Sequence, residues 1–192
     1  MVGRAYSVFD TALGRCGIAW GTGGIVGVQL AGLREIETRG QLLRRFPEAR
    51  ETRPSVDVEL AIDAIATLLR GQACEFSDVE LDMQGVPPFN RRVYDILRGI
   101  PRGETITFSE IGTRLGASGA THAVSEAVMR NPFPILVPCH RAVETRGDTA
   151  GAPGFGGAIT RYRLLSLEGA LAGRGPSLFD VLLPFAPPRS PS

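Results

Sequence analysis

Along the first thirty residues, apolar and polar side chains alternate with a period of two in three short stretches, 4–9, 15–20 and 25–30. Asp10-Thr11-Ala12-Leu13-Gly14 separates the first two and Gly21-Thr22-Gly23-Gly24 the last two, so the pattern predicts an antiparallel meander. A short helical pattern follows at 40–46. A stronger one covers 56–69, where Val58, Ile62, Ile65 and Leu69 recur at helical spacing. Residues 74–83 add a further candidate strand.

Gly85-Val86-Pro87-Pro88 breaks the pattern, because adjacent prolines continue neither a helix nor a central strand. The expected division is an α/β domain over 1–87, a mainly α domain over 88–175 and a Pro/Ser-rich tail over 176–192. Phe89, Val93, Ile96 and Leu97 mark the first helix of the second part. Thr107 with Glu110 three residues on forms a capping-box signature for the next, whose inner face carries Ile111 and Leu115. Gly116-Ala117-Ser118-Gly119 then turns into a helix over about 120–130, with Ala123, Val124, Ala127 and Val128 inward. Two short helices joined by small residues read as a helix-turn-helix, or as an ordinary αα corner. Asn131-Pro132 ends the second helix, the apolar run 133–137 follows, and a glycine-rich loop at 147–157 leads into a last helix over 159–167. That loop lacks the Gly-Lys-Ser/Thr of a phosphate loop.

Charge sharpens the division. All 21 basic residues are Arg; 1–87 carries net −3 and 88–175 net +4, so the second part suits a polyanion. No run approaches the roughly 20 apolar residues of a membrane span, and the first residues have no hydrophobic signal core, so a cytoplasmic protein is expected. The three cysteines, Cys16, Cys74 and Cys139, are too few and too scattered for a disulfide framework. With His122 and His140 the only histidines and no CxxC or HxxxH spacing, no metal and no cofactor are expected.

The chemistry concentrates at Pro138-Cys139-His140-Arg141. A cysteine thiol with a pKa of about 8.5 is mostly protonated at neutral pH, and burial raises that value, so it reacts only when a base removes the proton. Neighbours in an extended strand face opposite ways, so His140 would need a tight turn at Pro138 or a bridging water to serve. Glu168 is the candidate acid behind the histidine. Against this stands simple packing, since free cysteines are usually buried and inert.

Pro138-Cys139-His140-Arg141-Ala142, with Asn131-Pro132 before it and Leu164-Leu165-Ser166-Leu167-Glu168-Gly169 after it, resembles the signature of the O6-alkylguanine-DNA alkyltransferases. Phe89-Asn90-Arg91-Arg92-Val93-Tyr94 and Ile100-Pro101-Arg102-Gly103-Glu104-Thr105 resemble the same family's run-in, so the likeness covers about 88–170. It implies a ribonuclease-H-like α/β domain with an antiparallel sheet, then a helix-turn-helix, winged-helix-like domain bearing the cysteine. It further implies a protein that binds duplex DNA containing O6-alkylguanine, flips the base and moves its alkyl group irreversibly to Cys139, and a monomer is expected. His140 would act as base through water, Glu168 as its orienting acid, and Asn131 as support for the cysteine turn. The implied DNA contacts are Thr107, Phe108, Ser118, Ala120, Thr121, His122, Ala123, Arg130 and Arg141. The implied pocket is Asn131, Pro134, Val137, Pro138, Val143, Gly154, Phe155, Gly156 and Gly157. DNA binding of this kind weakens as salt rises.

Three departures stand out. His122 occupies the place of the family's intercalating arginine, Phe108 that of a tyrosine, and the 150–157 loop lacks the usual tyrosine. Two alternatives therefore accompany the transferase reading: an alkyltransferase-like damage sensor, whose members replace the cysteine, and a Cys-His-Glu hydrolase.

Overall fold

The computed structural model describes residues 3–145 and 158–171. Strands β1 (Ala5–Thr11), β2 (Gly14–Gly21) and β3 (Gly24–Gln29) form the antiparallel meander, and β4 (Arg50–Glu51) adds to β1 in parallel, giving the order β3-β2-β1-β4. The β2–β3 turn needs glycine for a concrete reason. Gly24 has φ +107°, and a Cβ there would lie 2.6 Å from the Glu80 carbonyl oxygen. Ile25 N–H donates to that oxygen and Asp82 N–H to Ile25 O, at 3.0 and 2.8 Å. The strand expected over 74–83 reduces to one parallel bridge, Ile25 with Leu81, against the outer strand β3.

Helix α1 (Glu35–Arg45) begins five residues before the expected start. Its opening turn is polar, with Glu35 and Glu37 at the N-terminus and Arg44 and Arg45 at the C-terminus, an arrangement the helix dipole favours. Thr38, Leu42 and the adjoining Phe46 cover one sheet face, where Tyr6, Ala19 and Val26 lie. The opposite face presents Cys16, Ile18, Ile25 and Val28 to α2 (Val56–Leu69), as period-two side chains require. The same apolar cluster continues without a break into the second half through Val93, Tyr94, Leu97, Ile111, Val124 and Phe133.

That second half holds α3 (Pro88–Arg98), β5 (Ile106–Thr107), α4 (Phe108–Arg114), α5 (Thr121–Met129), β6 (Ala142–Val143) and α6 (Ala158–Leu167). Thr107 Oγ accepts from Glu110 N–H at 3.1 Å while Glu110 Oε2 accepts from Thr107 N–H at 2.8 Å, a complete capping box. Gly116, at φ +70°, closes α4 in a Schellman turn, with Ala117 N–H bonded to Gly112 O and Gly116 N–H to Thr113 O. Val124, Ala127 and Val128 face inward on α5 as expected, but Ala123 is exposed. Ala123 lies at the edge of the buried stripe, and Tyr94 Oη donates to the Ala127 carbonyl at 2.9 Å, which ties α5 to α3. Strands β5 and β6 pair in parallel, Thr107 opposite Val143, so the residue that caps α4 is also tied to the segment just after Cys139.

Replacing Thr107 by Ala removes the cap acceptor and is expected to cost about 1 kcal/mol. Thermal denaturation should report a fall of about 2–4 °C; an unchanged midpoint would mean that β5–β6 pairing, not the cap, fixes the start of α4. Among the described residues no helix is long and apolar enough to cross a membrane.

Candidate active site

Asn131 follows the end of α5 and organises the loop that carries the cysteine. Its Oδ1 accepts from Phe133 N–H at 2.9 Å, and its Nδ2 lies 3.0 Å from both the Val137 carbonyl oxygen and Cys139 Sγ. Between them the chain folds back on itself, Val137 N–H donating to Phe133 O at 2.8 Å and Cys139 N–H to Val137 O at 2.7 Å. Ile135 is held at φ +74°, a costly conformation for a β-branched residue and a sign that the surrounding contacts over-determine the turn. The apolar run 133–137 is thus a compact turn, not a strand. Cys139–Arg141 then forms one 3-10 turn after Pro138. Successive side chains in such a turn lie about 120° apart, which takes Cys139 toward Asn131 and lets His140 and Arg141 face α6; all three are buried.

Behind the cysteine sits a closed polar cluster. His140 Nε2 is 3.0 Å from Glu168 Oε1, and Arg141 grips both oxygens of the same carboxylate, Nε to Oε2 at 2.9 Å and Nη2 to Oε1 at 2.7 Å. Arg141 Nη1 also donates to the Ile100 carbonyl. Arg102 Nη2 donates to the carbonyls of Leu167 and Gly71, at 2.7 Å each, and so fixes the end of α6 where Glu168 stands. Arg161, buried on α6, donates to the Ala142 carbonyl.

These surroundings set the proton affinities. Burial pushes the Cys139 thiol up to about 12, with the Asn131 amide opposing it. Burial drives the His140 imidazole below its ordinary value, against the pull of Glu168, so the ring is neutral at pH 7. Burial alone would raise Glu168, but hydrogen bonds from His140 and Arg141 hold it at about 2. At rest the site is a protonated thiol, a neutral histidine and a carboxylate neutralised by Arg141.

Of the expected site residues, Cys139, His140, Glu168 and Asn131 come together, and Pro134, Val137, Pro138 and Val143 are buried around them. Gly154, Phe155, Gly156 and Gly157 lie outside the described residues. On α4, α5 and the segments flanking them, Ser118, His122, Ala123 and Arg130 are exposed and Thr107, Ala120 and Thr121 half-buried. Two of the expected DNA contacts are buried rather than presented to solvent. Phe108 is only 3% exposed and packs in the core, so it offers no stacking face, and Arg141 spends its guanidinium on Glu168 and Ile100. Sequence reasoning missed Arg102, Arg161 and Tyr94 as parts of the site's frame; their partners are backbone carbonyls, which leave no mark in side-chain patterns. No cluster of three or more His, Cys, Asp or Glu side chains placed to hold a metal occurs among the described residues.

A buried cysteine held by an asparagine, backed by a His–Glu pair and seated between α3 and α6, defines a protein with a buried thiol centre. Residues 88–170 match the family described as 6-O-methylguanine DNA methyltransferase, DNA binding domain. The methylated-DNA–protein-cysteine methyltransferase of Mycobacterium tuberculosis (strain H37Rv) is 39% identical over 155 residues, 79% of this chain and 91% of that protein. The crystal structure of Mycobacterium tuberculosis OGT in complex with DNA superposes with a TM-score of 0.70 at 31% identity, over 86% of this chain and 93% of that one. A Thermus thermophilus protein named DNA base-flipping protein is 34% identical over 121 residues, 62% of this chain and 80% of its own. The chain belongs to the methylated-DNA–protein-cysteine methyltransferase family.

Proposed function

We propose that this protein repairs duplex DNA by taking the alkyl group of O6-alkylguanine onto Cys139, once per molecule. The observation that carries the reading is the Asn131 amide 3.0 Å from a buried Cys139 Sγ, with the neutral His140–Glu168 pair behind it. In the reaction an S–C bond forms and the C–O6 bond breaks. The electron pair stays on the guanine oxygen, and the thiol proton leaves for His140 through a water and ends on the guanine ring. With Nε2 turned to Glu168, Nδ1 is the nitrogen of His140 that takes the proton. Glu168 stabilises the imidazolium that forms, and Arg141 keeps Glu168 ionised while it does so. The thioether has no route back to a thiol at this site, which makes the protein single-use.

The exposed first turn of α5, with Thr121, His122 and Ala123, is the surface that meets DNA, and the flipped base enters beside Pro134, Val137 and Val143. Strand order β3-β2-β1-β4 with β4 parallel to β1 supports a ribonuclease-H-like first domain, and β5–β6 beside α4 and α5 supports a winged-helix-like second one. We place their division at residue 87, the catalytic protein in the cytoplasm as a monomer, and its chemistry outside any metal or cofactor.

The test is stoichiometry. A duplex with O6-methylguanine in excess should lose no more than one methyl per protein molecule; repeated turnover would instead favour a hydrolase, and tight binding with no loss a damage sensor. His122 gives a second expectation. An arginine fills the gap left by a flipped base better than the shorter imidazole, so His122→Arg should speed transfer from duplex and leave transfer from free O6-benzylguanine unchanged. Equal rates with the duplex would show that His122 takes no part in extrusion.

A further inference from the structure

The Pro132–Phe133 peptide is where the N-terminal sheet meets the cysteine loop, and both of its polar ends are held. Its carbonyl oxygen accepts from Val28 N–H of β3 at 2.9 Å and from Arg45 Nη2 at 3.0 Å. Its N–H donates to Asn131 Oδ1 at 2.9 Å. Because a peptide unit is planar, fixing the oxygen end fixes the direction of the N–H at the other end. That N–H orients the Asn131 carboxamide, whose Nδ2 reaches Cys139 Sγ.

Arg45 is built into this position. It is the last residue of α1, its guanidinium lies 5.2 Å from the Phe46 ring centroid, and Nη1 donates to the Val28 carbonyl at 3.0 Å. Gly27 makes the approach possible: a Cβ there would fall 2.7 Å from Phe46 and 2.9 Å from Arg45 Nη2. A planar fork spans the Val28 and Pro132 carbonyls at once with two separate nitrogens in one fixed plane, whereas an ammonium offers a single nitrogen on a flexible stem.

We propose that Arg45 is a positioning residue for the thiol chemistry: by holding the Pro132–Phe133 peptide plane it aims the Asn131 amide at Cys139 Sγ. The first domain thereby sets the nucleophile of the second. This rests on the transferase reading for its consequence, but its geometry can be probed without DNA. A well-aimed N–H stabilises the thiolate more than the thiol, so loss of aim makes the thiolate harder to form.

Arg45→Met keeps an apolar stem over Phe46 and removes both donors, while Val28 N–H still holds Pro132 O. Two measurements are made on it: alkylation of Cys139 by iodoacetamide against pH, read by peptide mass so that Cys16 and Cys74 do not contribute, and single-turnover methyl transfer at saturating duplex. The rising limb of the alkylation rate, read between pH 7 and 9 where the fold is intact, should move to higher pH, and transfer should slow about tenfold, in line with the sensitivity of reaction rates to small misplacements. Arg45→Lys, with a single nitrogen to offer, should fall between, and it carries the test if Arg45→Met is too unstable to assay. An unmoved pH profile overturns the proposal. So does a transfer defect that vanishes at saturating duplex, which would make Arg45 a phosphate contact. If the unaltered protein transfers no methyl group, the transferase reading fails, and the iodoacetamide profile still decides the role of Arg45.

Discussion

Glu168→Gln should lower the thermal midpoint by about 6–20 °C and abolish alkyl transfer. The carboxylate is 6% exposed and is gripped through both oxygens by Arg141, itself buried. Gln offers one acceptor oxygen and no charge, which leaves the guanidinium buried without compensation. Breaking such a pair from one side costs about 3–5 kcal/mol, and a chain of this size loses about 2–4 °C per kcal/mol. His140 loses its orienting acid in the same step, so transfer fails even in the fraction that stays folded. The dependence on pH has a definite sign. With Glu168 at about 2 against an ordinary 4.5, its contribution is full above about pH 4.5 and is lost as pH falls toward 2. In Glu168→Gln that acid-sensitive limb should flatten. Melting curves at several pH values decide the matter: a midpoint within a degree of the parent would show that solvent, not Glu168, neutralises Arg141.

Cys139→Ser should keep the fold at neutral pH and lose transfer entirely. The hydroxyl has nearly the volume of the thiol, and the Asn131 amide can donate to it as it does to Sγ. It is a far weaker acid and a harder nucleophile, so His140 cannot turn it into a group that displaces guanine from a methyl carbon. The same substitution changes behaviour in alkali. The native thiol stays protonated up to about 12, against an ordinary 9.0 when unfolded. The folded state therefore binds a proton that the unfolded chain releases, and stability that is full below pH 9 is lost as pH rises toward 12, by roughly 4 kcal/mol in all. Cys139→Ser lacks this loss and should overtake the parent in stability above pH 10. Parallel alkaline limbs in urea titrations would contradict the protonated, buried thiol.

What was legible in the sequence is what local chemistry dictates. Thr107 and Glu110 satisfy each other three residues apart, and the glycines at 14 and 24 mark turns that no side chain permits, so the capping box and the meander follow from the sequence alone. Elements fixed by distant partners were not legible. Residues 133–137 have the composition of a buried strand, and periodicity cannot separate a strand from a buried turn in so short a run; the turn is made by the side chain of Asn131 and by a strained Ile135. Arg141 looks like a free cation until Glu168, 27 residues away, is placed against it. The family resemblance makes Phe108 a DNA contact, yet the opening of α4 against the core turns it inward. Arg45 gave no signal, since both its acceptors are main-chain oxygens.

Transfer to Cys139 is tested most directly by the mass of the intact protein after incubation with a duplex containing O6-methylguanine, with Cys139→Ser alongside. The parent should gain one methyl in place of one hydrogen, on the peptide containing Cys139, and the variant should gain nothing. An unchanged parent mass, or a methyl on Cys16 or Cys74, would contradict transfer to Cys139.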